Sequence, residues 1–214
     1  IVGSGCDYPA PNGYHPPHAS LFFNKILTMA INDGCNPFNG GQSDVHTGYL
    51  YEMDTFEDVQ NAFSTLAEHF IKSFVSIMNY AEYISQWVAP HAGLSISMTG
   101  CMEKGMDCTA GGCKYNSFGG TAPCLATLAD SLTTIKYMVY DKKLITSREL
   151  YDAVMSNWEG YEVLRQRILS EVPHFGNDDK YADDMMRWVT DEYYNLCSKC
   201  YSKRSKKFKA GLYG

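Results

Sequence analysis

Phe56, Val59, Phe63, Leu66, Phe70, Phe74, Met78, Ala81 and Val88 recur at intervals close to the helical period, which marks one buried face of a long α-helix. Thr55-Phe56-Glu57-Asp58 supplies a capping-box variant at its start, and Pro90 ends it. Such a helix is about 50 Å long at a rise of about 1.5 Å per residue. Ile71, Val75 and Ile84 add apolar positions on flanking faces, so the element suits the wall of a large domain. Upstream, Leu21, Phe22, Leu27, Met29 and Ala30 predict a helix over residues 18–33, with Gly34 where a C-terminal cap belongs. Downstream, Leu125, Leu128, Leu132, Ile135 and Val139 resume the period. Thr146-Ser147-Arg148-Glu149 is a second capping box, opening a helical stretch over 147–170 that is interrupted near Gly160. A last amphipathic pattern covers 179–202 through Tyr181, Met185, Val189, Tyr193 and Leu196.

Three stretches break these periods. Residues 35–49, CNPFNGGQSDVHTGY, carry turn chemistry. Residues 91–124 are too rich in glycine for a helix and too polar for buried strands, with Leu94–Met98 the one stretch suited to a strand. The opening IVGSGCDYPAPNGYHPPH sets Cys6 between glycines and a run of prolines, a shaped loop with no regular element through the cysteine. No repeat, low-complexity tract or linker divides the chain, so residues 1–214 read as a single segment.

Composition narrows the class. A chain of 214 residues with 45% hydrophobic and 20% charged residues is an ordinary globular sequence. Its formal net charge of -6 argues against a general nucleic-acid or anionic-membrane binder, although residues 199–209, KCYSKRSKKFK, are locally basic. No run approaches a membrane span of about 20 apolar residues, and no secretory signal pattern is visible. Eight cysteines in a chain of this size and pattern are expected to be reduced thiols. Cys197-x-x-Cys200 and the set Cys101, Cys108 and Cys113 lack a second close Cys/His pair at finger spacing, so core or surface thiols are favoured over zinc.

Three groups carry candidate chemistry. Cys6 has His15 and His18 nearby as bases, although histidines in a proline-rich loop are more often solvated or structural. Residues 100–117, GCMEKGMDCTAGGCKYNS, hold Glu103, Asp107 and three thiols, and Gly105, Gly111 and Gly112 would let backbone approach a ligand. The stretch matches neither phosphate-binding glycine signature. Residues 173–184, PHFGNDDKYADD, miss the calcium-loop spacing and read as an acidic helix N-terminus.

Five stretches taken in order resemble the glycyl radical enzymes, the pyruvate formate-lyase-like superfamily. They are Gly5-Cys6-x-x-Pro9, Phe22-Phe23-Asn24 with Asn32-Asp33-Gly34, GMDCTAGGCKYN (105–116), FGNDD (175–179) and KKFKAGLYG (206–214). The corresponding family passages read G-C-x-E-P, F-F-N, G-x-D-x-T-x-G-G-A-x-Y-N, F-G-N-D-D and R-x-G-L-Y. This resemblance implies an α/β fold, part of a ten-stranded β/α barrel that is predominantly helical in this segment. Cys6 then aligns with the cysteine that becomes a thiyl radical and abstracts a hydrogen atom from substrate. The implied cofactor is a protein glycyl radical, outside this chain, installed by an S-adenosylmethionine-dependent iron–sulfur activating enzyme. A small-molecule substrate, a homodimer and the cytoplasm of an anaerobic organism complete the expectation.

Two departures shape the functional reading. No R-V-x-G-Y-like radical motif occurs in these residues, so the chain is expected to be a middle-to-late segment, inactive alone. Tyr8 stands where dehydratases of the family carry a Glu base, with Asp7 beside it. A tyrosine is a poor base near neutral pH, its ordinary pKa being about 10. The two-cysteine variant of the family site is also disfavoured, since Gly5 precedes Cys6. The leading expectation is therefore thiyl-initiated C–C cleavage or formation on a small organic acid. A dehydratase or other C–O/C–N lyase, using Asp7, Glu103 or a residue elsewhere, is the alternative. His15, His18 and Glu103 are the candidate substrate-binding residues, and a non-catalytic zinc-binding module is the reading from another class.

Overall fold

Thr55 and Asp58 cap the long helix reciprocally: the Thr55 N–H and hydroxyl donate to the Asp58 carboxylate at 2.8 and 2.7 Å, and the Asp58 N–H donates to the Thr55 hydroxyl at 3.2 Å. The computed structural model describes residues 2–4, 8–10, 14–15, 19–116, 119–203 and 206–213, with side chains described from residue 20 to 211 within those spans. In chain order the elements are β1 (Val2–Ser4), β2 (Tyr8–Ala10), β3 (Tyr14–His15), β4 (Ala19–Ser20), α1 (Phe23–Ala30), α2 (Phe56–Val88), α3 (Ala92–Ser97) and α4 (Cys101–Lys104). They continue through β5 (Tyr115–Asn116), β6 (Gly119–Pro123), α5 (Leu125–Ile135), α6 (Ser147–Met155), α7 (Glu162–Glu171), α8 (Lys180–Ser198) and β7 (Lys209–Tyr213). The predicted long helix is α2, 33 residues. The predicted break near Gly160 separates α6 from α7, with Asn157, Trp158 and Gly160 all at positive φ.

Two compact units make up the chain. Residues 22–70 and 123–193 form the helical unit. Its core brings Phe23, Ile26 and Leu27 of α1, Val59, Phe63 and Leu66 of α2, and Leu128 and Leu132 of α5 out of water. Full burial of each such side chain contributes about 1.5–3 kcal/mol before entropy is counted. The Phe23 ring lies 5.1 Å from Tyr193 and 6.2 Å from Phe63. Tyr140 donates to the Met53 carbonyl at 3.0 Å, and burial pushes its phenol up to about 12. Beyond Ile135 the helix widens into a π-helical turn over Lys136–Asp141, which the hydrophobic period does not signal.

Residues 1–21, 71–122 and 194–212 form the second unit, which carries the short strands. β1 and β2 pair antiparallel, β3 pairs parallel with β5, and β4-β6-β7 form a three-stranded sheet in which β4 and β6 are parallel. Gly119 and Gly120 let β6 be approached closely, since a Cβ on Gly119 would lie 1.9 Å from the Lys209 carbonyl oxygen and one on Gly120 would lie 2.6 Å from the Phe74 ring.

Two sequence expectations need correction. The helix predicted over 18–33 begins only at Phe23, because Ala19 and Ser20 pair with Gly120 and Thr121 instead. Leu94–Met98 is not a strand; Ala92–Ser97 is helical. Ile96 is 70% exposed whereas Ser95, Met98 and Cys101 are buried, a three-residue spacing.

Candidate functional site

The strands on either side of Cys6 in sequence, β1 and β2, pair with Ser4 opposite Tyr8 and Val2 opposite Ala10. Cys6 and Asp7 themselves, and His18, lie outside the described residues. Tyr8 is on β2 and His15 on β3, both placed by backbone. Parallel pairing sets His15 opposite Asn116 and Tyr14 opposite Tyr115, so the end of the GMDCTAGGCKYN stretch is hydrogen-bonded to the segment that follows Cys6. The next strand repeats the arrangement: Ala19 sits opposite Gly120 and Ser20 opposite Thr121. The Ser20 and Thr121 hydroxyls are 2.7 Å apart, and Leu21 donates its N–H to the Thr121 carbonyl at 3.0 Å. Sequence reading passed over this hydroxyl pair, since strands of two residues leave no period to detect.

The loop between α3 and β5 is organised by Asp107. Its carboxylate accepts the Thr109 hydroxyl at 2.6 Å, the Thr109 N–H at 2.9 Å and the Ser95 hydroxyl at 2.8 Å. Burial pushes this carboxyl up, but those donors outweigh it and hold it well below the usual carboxylate range. Ser95 in turn accepts the Cys108 N–H at 2.9 Å. The pattern Asp-x-Thr at a turn is a readable signal for such self-bonding. Gly112 serves the loop itself, because a Cβ there would lie 2.1 Å from the Met106 carbonyl oxygen. A Cβ on Gly105 meets nothing.

Glu103 belongs to the same loop but points its carboxylate at its own helix start, accepting the Gly100 N–H at 2.8 Å. Cys101, Cys108 and Cys113 cluster with Met98 in the interior. The Cys101 and Cys113 sulfurs are 3.8 Å apart, and burial pushes the Cys108 thiol up. Among the described residues no three His, Cys, Asp or Glu side chains gather as metal ligands. In the acidic stretch, Asp179 accepts the Tyr181 N–H at 2.8 Å, the role of a helix N-cap, and the Phe175 N–H donates to Asp130 at 2.8 Å. No helix among the described residues is long and apolar enough to cross a membrane.

The family described as Pyruvate formate lyase-like matches residues 4–214, nearly the whole chain. The chain belongs to this family, the glycyl radical enzymes. It is 33% identical over 199 residues to the (2S)-3-sulfopropanediol dehydratase of Klebsiella oxytoca, covering 92% of this chain and 24% of that protein. It is 33% identical over 171 residues to the trans-4-hydroxy-L-proline dehydratase of Clostridioides difficile, covering 80% of this chain and 22% of that one. Its structure resembles the glycerol-bound B12-independent glycerol dehydratase of Clostridium butyricum with a TM-score of 0.83 at 27% identity, over 95% of this chain and 26% of that one. The chain therefore spans about a quarter of the length of these relatives, and its fold is that of a mostly helical part of the glycyl radical enzyme barrel.

Proposed function

We propose that residues 1–214 are one segment of the catalytic domain of a glycyl radical dehydratase, in which Cys6 abstracts a hydrogen atom from a small hydroxylated substrate and a leaving group departs from the neighbouring carbon. The observation that carries this reading is the character of the relatives: the two at 33% identity and the structure at TM-score 0.83 are all dehydratases. They favour the dehydratase alternative over the C–C cleavage expected from Tyr8 alone. A glycyl radical, when present, supplies the hydrogen-atom acceptor that turns the Cys6 thiol into a thiyl, and a radical S-adenosylmethionine activating enzyme is the partner proposed to install it.

Elimination needs a proton donor within hydrogen-bond reach of the leaving group. Glu103 is engaged at its own helix terminus, which leaves Asp7, Tyr8 or a residue beyond these 214 for that role. Tyr8 in place of the family's Glu is what favours the second reading, cleavage of a carbon skeleton, where no such base is required.

The test uses the full-length polypeptide containing this segment, activated anaerobically with its activating enzyme. It is offered vicinal diols, hydroxylated cyclic amino acids and hydroxyalkyl sulfonates beside aryl and alkyl carboxylic acids. Loss of water from the hydroxylated group is expected; carbon dioxide from the acids with no dehydration would overturn the proposal. Cys6→Ser should abolish turnover while the glycyl radical still forms, because an O–H bond is too strong for the carrier role. Tyr8→Phe assigns the proton donor: a fall in kcat above about 100-fold gives it to Tyr8, and one below about tenfold gives it to another group.

A further inference from the structure

We propose that Cys101 and Cys113 form a dithiol that closes to an intramolecular disulfide on reaction with a hydroperoxide. The two sulfurs are already in contact at 3.8 Å, so about 1.8 Å of approach, within reach of side-chain rotation, gives the S–S bond of about 2.05 Å. Both side chains are buried, at 2% and 0% exposure, in a cluster whose other members are Met98 and Cys108. That packing holds the pair together and keeps a bulky thiol from reaching either sulfur. Hydrogen bonds hold the two segments together: Lys114 donates its N–H to the Thr99 carbonyl at 2.8 Å, and the Lys104 side-chain ammonium donates to the Cys113 carbonyl at 2.9 Å. Cys108 is the spectator, its hydrogen directed at the Asp107 carboxylate at 3.8 Å. Cys113 also occupies a place where the family passage quoted above carries Ala, so the second thiol is a feature of this chain.

The chemistry balances in two steps. One thiol gives up its proton and attacks the peroxide, the O–O bond breaks, and a sulfenic acid forms while that proton leaves on the departing oxygen as water or an alcohol. The partner thiol then attacks that sulfur, the S–O bond breaks, and a second water leaves. One hydroperoxide is reduced and two thiols are oxidised by two electrons. The product joins residues 101 and 113 across the loop that Asp107 organises.

Treating the whole chain with hydrogen peroxide, then blocking remaining thiols and digesting with trypsin, tests this directly, because Lys104 lies between the two cysteines. The expected product has lost 2 Da, and the peptide ending at Lys104 stays joined to Gly105–Lys114 until dithiothreitol separates them. Cys108→Ser should keep the link, and Cys113→Ala, which installs the residue of the family passage and should therefore fold, should lose it. Oxidation that stops at separate sulfenic or sulfinic acids on Cys101 or Cys113 overturns the proposal. So does a link that survives in Cys113→Ala, or an unchanged pair in protein whose exposed Cys124 has been oxidised.

Discussion

Asp33 and Asp107 each organise a glycine-rich loop, one in the helical unit and one in the strand-bearing unit, and they do it with different chemistry. Asp33 accepts the Gly48 N–H at 2.8 Å and the His46 ring nitrogen at 2.7 Å, so part of its stabilisation comes from a group that can carry charge. The donors to the Asp107 carboxylate are uncharged, among them the Ser95 and Thr109 hydroxyls, the Thr109 N–H and the Cys108 thiol. Both carboxyls are held below their usual range, Asp33 chiefly by the His46 hydrogen bond and Asp107 by donors that outweigh its burial. Neutral donors need no second charge, so the Asp107 anchor is expected to be little affected by salt. Each loop also closes on a glycine. A Cβ would lie 2.2 Å from the Val45 carbonyl oxygen at Gly34 and 2.1 Å from that of Met106 at Gly112.

The largest expected effects come from filling those contacts. Gly34→Ala combines the clash with φ +75, and Gly112→Ala meets backbone on one side with no flexible side chain to yield. Each should cost at least about 3 kcal/mol in denaturant unfolding. Gly93→Ala is the control: nothing lies within 4 Å of a Cβ there and the site is inside α3, so stability should rise by about 0.5–1 kcal/mol. Equal effects at Gly93 and Gly112 would show that close approach is not what those loops require.

Removing the carboxylates should separate the two loops. Asp107→Ala leaves the buried Ser95 hydroxyl without its acceptor and should cost about 3 kcal/mol, with hydrogen exchange accelerating over 95–116. Asp33→Ala should cost about 1.5 kcal/mol and accelerate exchange over 33–48. A cost for Asp33 equal to or above that for Asp107 would reverse the comparison. The pH dependence has a fixed sign. A carboxyl whose folded pKa is depressed contributes stability above its unfolded pKa of about 3.9 and loses it as pH falls through the folded value. The gap between native protein and Asp107→Asn should thus be flat above about pH 5 and should narrow below about pH 4. A gap that widened on acidification would contradict the hydrogen-bond assignment.

The sequence disclosed α2 well because its period runs for 33 residues between a capping box and a proline. The strands were illegible for the opposite reason. β3 and β4 are two residues each, and they exist only because partners about a hundred positions away pair with them. The Leu94–Met98 misreading shows that five residues are too few to tell a strand from a short helix, and here the helix places Ser95 where it donates to Asp107. At the candidate site, Cys6 stood out by its setting between glycines and prolines, yet only the family resemblance gave it a role. At Tyr8 the absence of the usual carboxylate argued for C–C chemistry, while the relatives at 33% identity are dehydratases and favour the alternative reading.

The smallest expected effect is the one that isolates charge. His46 is largely exposed, with 68% of its side chain accessible, and Asp33 retains the Gly48 N–H when the ring is removed. His46→Gln should therefore lower stability by less than about 0.5 kcal/mol at low ionic strength, as exposed pairs do. The difference should shrink further toward about 1 M salt, where the screening length falls to about 3 Å. Ser95→Ala, which removes a neutral donor from Asp107, should show a larger loss that salt leaves unchanged. Denaturant midpoints for the two variants at low and high salt make the measurement. If His46→Gln proves as costly as Ser95→Ala, or if the Ser95→Ala loss fades with salt, the distinction between an anchor with a chargeable donor and one with uncharged donors fails.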